Sequence, residues 1–115
     1  MNDCIFCRIV AGQIPAKEIA RSDAAVAFHD LNPQAPVHVL VVPTTHWANA
    51  AATDTDDGER AVGRTVRFAV QVARQLGLVE SGYRLVLNSG HDGGQSVGHL
   101  HVHLLGGRRM SWPPG

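Results

Sequence analysis

Three histidines alternate with aliphatic residues near the end of this 115-residue chain, where residues 98–105 read GHLHVHLL. Successive side chains of a β-strand point to opposite faces, so the spacing places the three imidazoles on one face and the aliphatic residues in a core. Three histidines at alternate positions are more than an ordinary half-buried strand requires. The pattern predicts metal ligation, acid-base catalysis or nucleophilic catalysis.

A glycine-rich loop immediately precedes these histidines, with the sequence SGHDGGQSVG over residues 89–98. Its glycines let the backbone approach a ligand closely and present amide donors to phosphate oxygens, although a tight turn between strands also favours glycine. A neutral imidazole attacks phosphorus, and a protonated one donates hydrogen bonds to phosphate. The loop and the histidines together favour chemistry at phosphorus.

The two cysteines of the chain form a C-x-x-C pair, Cys4 and Cys7. In a reduced compartment this spacing suits metal ligation or redox chemistry better than a structural disulfide. The three alternating histidines could also ligate zinc. Three-histidine sites leave a coordination position for water, so a zinc-dependent hydrolase is an alternative function.

The elements that must position these groups indicate an α+β fold. Apolar residues at three- and four-residue intervals predict one long helix from about Thr55 to Leu76, with N-cap oxygens before it and Gly77 after it. A short helix is expected within residues 4–11. The remaining segments predict an antiparallel sheet of about five strands, at Lys17–Arg21, Ala24–His29, Val37–Val42, Tyr83–Asn88 and Val97–Leu105.

Composition narrows the class of protein. Lysine plus arginine equals aspartate plus glutamate at 10 each, which argues against nucleic acid or a membrane surface as a partner. The chain has neither a signal-peptide pattern nor an apolar run of membrane length, and neither a repeat nor a linker divides it. We expect one domain over residues 1–115, in the cytoplasm.

The chain resembles the histidine-triad (HIT) family, whose motif is His-φ-His-φ-His-φ-φ with φ apolar, here His99–Leu105. The resemblance extends through IPAK (14–17), AFHD (27–30), PQAP (33–36), DGGQS (92–96) and WPPG (112–115), which indicate the Hint branch. It implies a HIT-like fold paired into a homodimer. It also implies a purine nucleoside phosphoramidate hydrolase that forms a nucleotidyl-histidine intermediate and needs no cofactor for catalysis.

Catalytic roles carry over from the family by motif. His101 corresponds to the nucleophile, and His103 to the histidine that contacts phosphate and helps to protonate the leaving amine. His99 would orient the nucleophile, and His38 would support the other three. Ser96 would contact the phosphate and the leaving group.

The resemblance implies a nucleoside pocket around residues 28–31, with an apolar wall for the base and Asp30 for the ribose hydroxyls. Without it, this segment is typical of a strand end entering a turn. Gly98 departs from the family, because related sequences often carry an aromatic residue there, which puts local packing and substrate preference in doubt. The nucleotide-binding set implied is Phe28, His29, Asp30, Leu31, Asn88, Gly94, Gln95, Ser96, Val97, His101, His103 and, from the neighbouring subunit, Trp112.

Some bacterial members of the family bind a structural zinc ion, and the resemblance places its ligands at Cys4, Cys7, His46 and His99. Two thiolates and two imidazoles suit tetrahedral zinc. His99 would then be a metal ligand and a neighbour of the nucleophile at once. A non-catalytic nucleotide sensor or protein-interaction module of the same family is an alternative function.

Overall fold

The structure is a computed structural model that describes residues 3–115. One sheet contains five antiparallel strands: β1 (Glu18–Arg21), β2 (Ala25–His29), β3 (Val37–Pro43), β4 (Arg84–Val86) and β5 (Val102–Gly106). Their order across the sheet is β1-β2-β3-β5-β4. The helices are α1 (Ile5–Val10), a 3₁₀ turn (Ala51–Thr53) and α2 (Asp56–Gln75). The predicted α+β class, with one long and one short helix, is confirmed.

The sheet separates two hydrophobic cores, because β2 and β3 bury side chains on both faces. One face packs against α2, where Ala69, Val72 and Ala73 meet alternate residues of the strands. The other face packs against α1 through Phe6 and Ile9. Strands buried on both faces read as continuous apolar runs rather than alternating ones. The α1 face is the one that carries the predicted site.

The predicted strand Val97–Leu105 is shorter in the structure and begins only at Val102. Before Val102, the backbone N–H of Leu100 donates to the carbonyl of Trp47 at 2.6 Å. The segment ahead of β5 therefore bonds to the loop that follows β3 and does not pair with a neighbouring strand. His99 and His101 therefore precede β5, and only His103 lies within it. The predicted strand Tyr83–Asn88 is likewise reduced to Arg84–Val86.

Helix α2 agrees with its prediction to within one residue at each end. The Thr55 side chain caps it by accepting a hydrogen bond from the backbone N–H of Gly58 at 2.9 Å. Three acidic side chains occupy its first turn, where the helix dipole favours negative charge. Gly77, with φ of 75°, supplies the left-handed residue after the helix. Within residues 3–115, none of the helices has the length and apolar character needed to cross a membrane.

Gly58 allows the start of α2 to lie against the 3₁₀ turn, since a Cβ at this position would overlap the main chain of Thr53. We expect Gly58→Ala to lower the free energy of unfolding by about 1–3 kcal/mol through overpacking. Gly98→Ala is the matched control, because a Cβ there meets nothing within 4 Å. Denaturant unfolding of the two variants checks this, and equal stability of both would contradict it.

Candidate active site

A cavity of about 300 Å³ opens on the α1 face of the sheet and collects most of the predicted nucleotide-binding residues. The second and third motif histidines contribute to its wall together with Ser96 and the strand end that the resemblance assigned to the nucleoside. The predicted residues that line it are Phe28, His29, Asp30, Leu31, Ser96, Val97, His101 and His103. A largely apolar cleft with a few convergent polar groups is typical of small-molecule sites.

The rest of the wall was not predicted. It comes from α1, from the segment that follows it and from β3, as Ile5, Phe6, Ile9, Ile14, Pro15, Ala16, Lys17 and Leu40. The IPAK segment supported the family resemblance but contains no residue that the sequence alone marks as a binding residue. Helix α1 is too short for its apolar residues to show a helical period. No local signal therefore pointed to these residues.

Three predicted binding residues shape the glycine-rich loop and are absent from the cavity wall: Asn88, Gly94 and Gln95. The Asn88 amide donates to the carbonyl of Gly93 at 2.6 Å, across the base of the loop. A Cβ at Gly93 would overlap the backbone of Ser89, so the turn requires glycine. Gly94 has a φ of 77°, which also favours glycine.

The Gln95 side chain ties this loop to the segment that follows β3. Its amide nitrogen donates to the carbonyls of Ala48 at 2.7 Å and Val97 at 2.9 Å, and its oxygen accepts from the backbone N–H of Gly90 at 2.9 Å. Both amide hydrogens are thus engaged by the protein. The side chain holds Ser96 and Val97 at the edge of the cavity.

The tautomer of His101 follows from one hydrogen bond. Its Nδ1 lies 2.8 Å from the main-chain oxygen of His99, which can only accept, so Nδ1 carries the hydrogen. The Nε2 lone pair of the neutral ring is then available to attack an electrophile. His101 is 3% exposed, and its ring is flanked by Phe6 at 5.1 Å and His103 at 5.0 Å between centroids.

A second chain of hydrogen bonds fixes the tautomers of His38 and His103. The backbone N–H of Gln34 donates to Nδ1 of His38 at 3.0 Å, so the hydrogen of neutral His38 is on Nε2. That Nε2 donates to Nδ1 of His103 at 2.9 Å. His103 therefore carries its own hydrogen on Nε2. Burial, reinforced by the neighbouring histidines, lowers the pKa of His103 to about 4.

Asp30 makes the hydrogen bond of a turn and also lines the cavity. One carboxylate oxygen accepts from the backbone N–H of Asn32 at 2.7 Å, which is ordinary turn chemistry after a strand. The other lies 3.5 Å from Nε2 of His38. Because Asp30 also lines the cavity, its carboxylate is held in place by the turn and can still receive a hydroxyl.

Four potential metal ligands meet beside the cavity: Cys4, Cys7, His46 and His99, with ligand atoms within 4.8 Å of one another. Nδ1 of His99 lies 3.2 Å from Sγ of Cys4 and 3.2 Å from Nδ1 of His46, and Sγ of Cys7 lies 3.4 Å from Nδ1 of His46. Usual bond lengths at tetrahedral zinc separate two nitrogens by about 3.3 Å and a nitrogen from a sulfur by about 3.6 Å. The donor set and its spacing fit zinc.

The resemblance implied that His99 both orients the nucleophile and binds zinc, and different atoms of His99 are available for the two roles. Its Nε2 donates to the carbonyl of Pro43 at 3.0 Å, which leaves the Nδ1 lone pair facing the two cysteines. Such a hydrogen bond from the second ring nitrogen commonly orients a histidine ligand. The contact with His101 is made by the main chain of His99, so the imidazole is free for metal. Burial lowers the pKa of His99.

Comparison with known proteins identifies the family. The HIT domain matches residues 11–110. The chain is similar to the solved structure of a HIT family hydrolase from Legionella pneumophila Philadelphia 1, with a TM-score of 0.94 and 44% identity over 98% of this chain and 100% of that one. The chain belongs to the HIT family. The predicted resemblance is confirmed.

Two plant relatives of this HIT protein carry informative names. A 14 kDa zinc-binding protein of Zea mays is 43% identical over 112 residues, covering 96% of this chain and 87% of that protein. The adenylylsulfatase HINT1 of Arabidopsis thaliana is 42% identical over 112 residues, covering 96% of this chain and 76% of that protein.

The last predicted binding residue of the HIT domain lies apart from the cavity. Trp112 is 82% exposed, which argues against its packing into the core of its own subunit. The segment that carries it is held by Arg84, whose guanidinium donates to the carbonyl of Ser111 at 2.8 Å. An exposed tryptophan on an anchored segment is suited to contact another molecule.

The lowered pKa of His103 predicts a pH-dependent stability. Between pH 6.5 and about 4 the unfolded chain binds a proton at this histidine and the folded chain does not, so the free energy of unfolding falls as the pH falls. We expect a slope of up to about 1.4 kcal/mol per pH unit from this residue. His103→Gln should flatten the decline in denaturant unfolding. The control His91→Gln alters a fully exposed histidine, and equal slopes in both variants would contradict the assignment.

Proposed function

We propose that this protein is a nucleotide-binding hydrolase that cleaves purine nucleoside 5′-phosphoramidates and related nucleotide conjugates through a nucleotidyl-histidine intermediate. One observation carries the proposal: the hydrogen bond from Nδ1 of His101 to the His99 carbonyl leaves Nε2 as a nucleophile at a cavity wall. The relative named as a HIT family hydrolase supports hydrolysis as the reaction class.

In the first step, Nε2 of His101 attacks the α-phosphorus, and the bond from phosphorus to the leaving nitrogen breaks with its electron pair on nitrogen. The ring acquires positive charge, which the His99 carbonyl stabilises through Nδ1–H. His103 is neutral in the empty site, but the negative charge of a bound phosphate favours its protonated form. It then gives a proton to the departing amine, beside the hydroxyl of Ser96.

In the second step, water attacks the phosphorus of the intermediate and the bond to Nε2 of His101 breaks. His103 accepts a proton of that water and is protonated again, and it loses this proton when the products leave, which returns the site to its neutral starting state. The products are the amine and a nucleoside monophosphate. Two displacements at one phosphorus thus replace a single difficult one.

The leaving group has a second candidate. The Arabidopsis relative is named an adenylylsulfatase, and adenylyl sulfate presents the same α-phosphate with sulfate in place of an amine. Because the nucleophile and the nucleoside pocket act on the shared part of these molecules, one site can serve both classes. Sulfate is a better leaving group than an amine and needs less help from a proton donor.

The geometry favours this mechanism over zinc-dependent hydrolysis. Within residues 3–115, no group of candidate ligands unites all three motif histidines: His99 faces the cysteines, and His103 lies with Asp30 and His38. Zinc at the Cys4 cluster would supply a structural crosslink between α1 and the loop that carries His46. A nucleotide sensor without turnover would share the pocket but show no covalent intermediate.

We infer a homodimer that completes the site. β4 is an edge strand of the sheet, and Trp112 projects from the segment anchored to Arg84 on that strand. An edge strand presents unpaired backbone groups that a second copy can cover. In the dimer implied by the family resemblance, Trp112 of each subunit contributes to the leaving-group side of the other subunit's pocket.

The nucleophile assignment predicts that His101→Gly lowers turnover of adenosine phosphoramidate by more than about a thousandfold, because covalent catalysis needs the imidazole. Affinity for AMP should change little, since the pocket wall is otherwise intact. Rapid quench of the wild type with a labelled substrate should trap a nucleotidyl protein that the variant lacks. Near-normal turnover in the variant would exclude His101 as the nucleophile.

The metal cluster predicts about one zinc ion per chain, measured by elemental analysis after purification with zinc supplied. Cys7→Ser should lose most of this zinc, whereas His91→Ser, at an exposed histidine outside the cluster, should retain it. Equal zinc content in the two variants, or no zinc in the wild type, would refute the site. Residual turnover after chelation would further separate structural zinc from catalytic zinc.

A further inference from the structure

We propose that Phe6 is a positioning residue for His101, and that the cluster of Cys4, Cys7, His46 and His99 holds Phe6 in place. The metal cluster would then control the geometry of the nucleophile as well as the stability of the fold. This inference rests on the proposed function, because it takes His101 to be the attacking group. The contacts that carry it are observed independently of any activity.

Phe6 lies at the junction of the two sites. It is 5% exposed, and its ring meets the His101 ring at 5.1 Å between centroids with an interplanar angle of 84°. The same ring meets His99 at 5.8 Å and 74°, and Phe28 of the nucleoside pocket at 5.6 Å and 68°. Edge-to-face contacts of this kind are favourable beyond the area that they bury. One phenyl ring thus touches a candidate metal ligand, the nucleophile and the pocket wall.

His101 needs such a contact because its hydrogen bond fixes only one atom of the ring. The bond from Nδ1 to the His99 carbonyl sets the tautomer but lets the ring rock about that point. Phe6 and His103 flank the ring and restrict this motion. In-line attack on phosphorus requires the Nε2 lone pair to stay within about 10–20° of its productive direction.

The metal cluster controls Phe6 through the short helix that carries it. Helix α1 has six residues, Ile5–Val10, and a helix of this length depends on outside contacts for its stability. Two of those contacts lie on either side of Phe6, where Cys4 and Cys7 approach the two histidines of the cluster. A metal bound to both thiolates would fix the first turn of α1, and with it the phenyl ring.

The first test uses Phe6→Leu, which keeps an apolar side chain and removes the ring. We expect single-turnover formation of the nucleotidyl intermediate at saturating adenosine phosphoramidate to slow about three- to tenfold. Affinity for AMP, measured by calorimetry, should change less than about twofold. A residue that acted only as pocket wall would show the reverse, with weaker binding and an unchanged rate.

Val26→Ala is the matched control. Val26 is fully buried in the same core as Phe6 but is absent from the cavity wall, so its truncation costs stability without removing a ring from His101. We expect the rate of intermediate formation to match the wild type. A similar slowing in both variants would show that core stability, rather than the ring contact, sets the rate, and would overturn the inference.

The second test measures coupling between Phe6 and the cluster. We expect zinc removal by dialysis against a chelator to slow the wild type about as much as Phe6→Leu does, and to slow that variant little further. If the protein unfolds when zinc is removed, His46→Asn provides a milder change. It removes one candidate ligand, which is exposed and lies outside α1. If zinc removal slows Phe6→Leu by the same factor as it slows the wild type, the cluster does not act through Phe6.

A spectroscopic readout separates this inference from the proposed function. Two-dimensional ¹H–¹⁵N spectra of the histidine rings should show one tautomer for His101 in the zinc-loaded wild type. Broadened or mixed signals are expected in Phe6→Leu and after zinc removal. If the wild type forms no nucleotidyl intermediate, the proposed function fails and the spectra still test the positioning. Unchanged His101 signals in both altered proteins would overturn the inference whatever the activity.

Discussion

The hydrogen bond between Nδ1 of His101 and the main-chain carbonyl of His99 is the interaction on which the rest of the site depends. It decides which nitrogen of His101 carries hydrogen and therefore which one can attack. It works only if the peptide of His99 is held still, and two features hold it. The ring of His99 is anchored to the Pro43 carbonyl on one side and faces the cysteines on the other. The proposed chemistry at phosphorus is thus supported by a neighbouring cluster for which we propose a structural role.

The sheet separates the structural core from the site, because the α2 core packs on one face and the cavity opens on the other. Strands β2 and β3 send alternate side chains to two cores, and α2 seals one of them. The α1 face is left to a six-residue helix, the glycine-rich loop and the motif histidines. The α2 core forms a hydrophobic cluster separate from that of the α1 face, so the polar groups and the cavity of the site do not interrupt it.

The sequence was most informative where one residue type or one period dominates. The interval of apolar residues predicted α2 to within one residue at each end. Alternation predicted that Val102 and Leu104 are buried on the face opposite His103, but it wrongly extended the strand over His99 and His101. It could not predict the wall supplied by α1, because a six-residue helix shows too little of its period. Nor could it predict that Gln95 satisfies backbone groups at three places, since long-range hydrogen bonds leave no local pattern. The candidate metal ligands followed from family resemblance, and the fold brings them together over a separation of 95 residues between Cys4 and His99.

The early end of β5 explains how three similar histidines acquire different surroundings. In a central strand of an antiparallel sheet, the backbone carbonyls accept hydrogen bonds from the neighbouring strands. If β5 had continued to Val97, a backbone N–H of a neighbouring strand would have competed with the His101 ring for the His99 carbonyl. Instead the chain leaves the ladder before Val102, bonds through Leu100 to the loop after β3, and keeps the His99 carbonyl for a side chain. His103 stays within β5 beside His38 and keeps the geometry of a strand residue. The alternation that reads as one uniform face in the sequence thus places the three histidines in three different surroundings, which suit the proposed roles of metal ligand, nucleophile and proton donor.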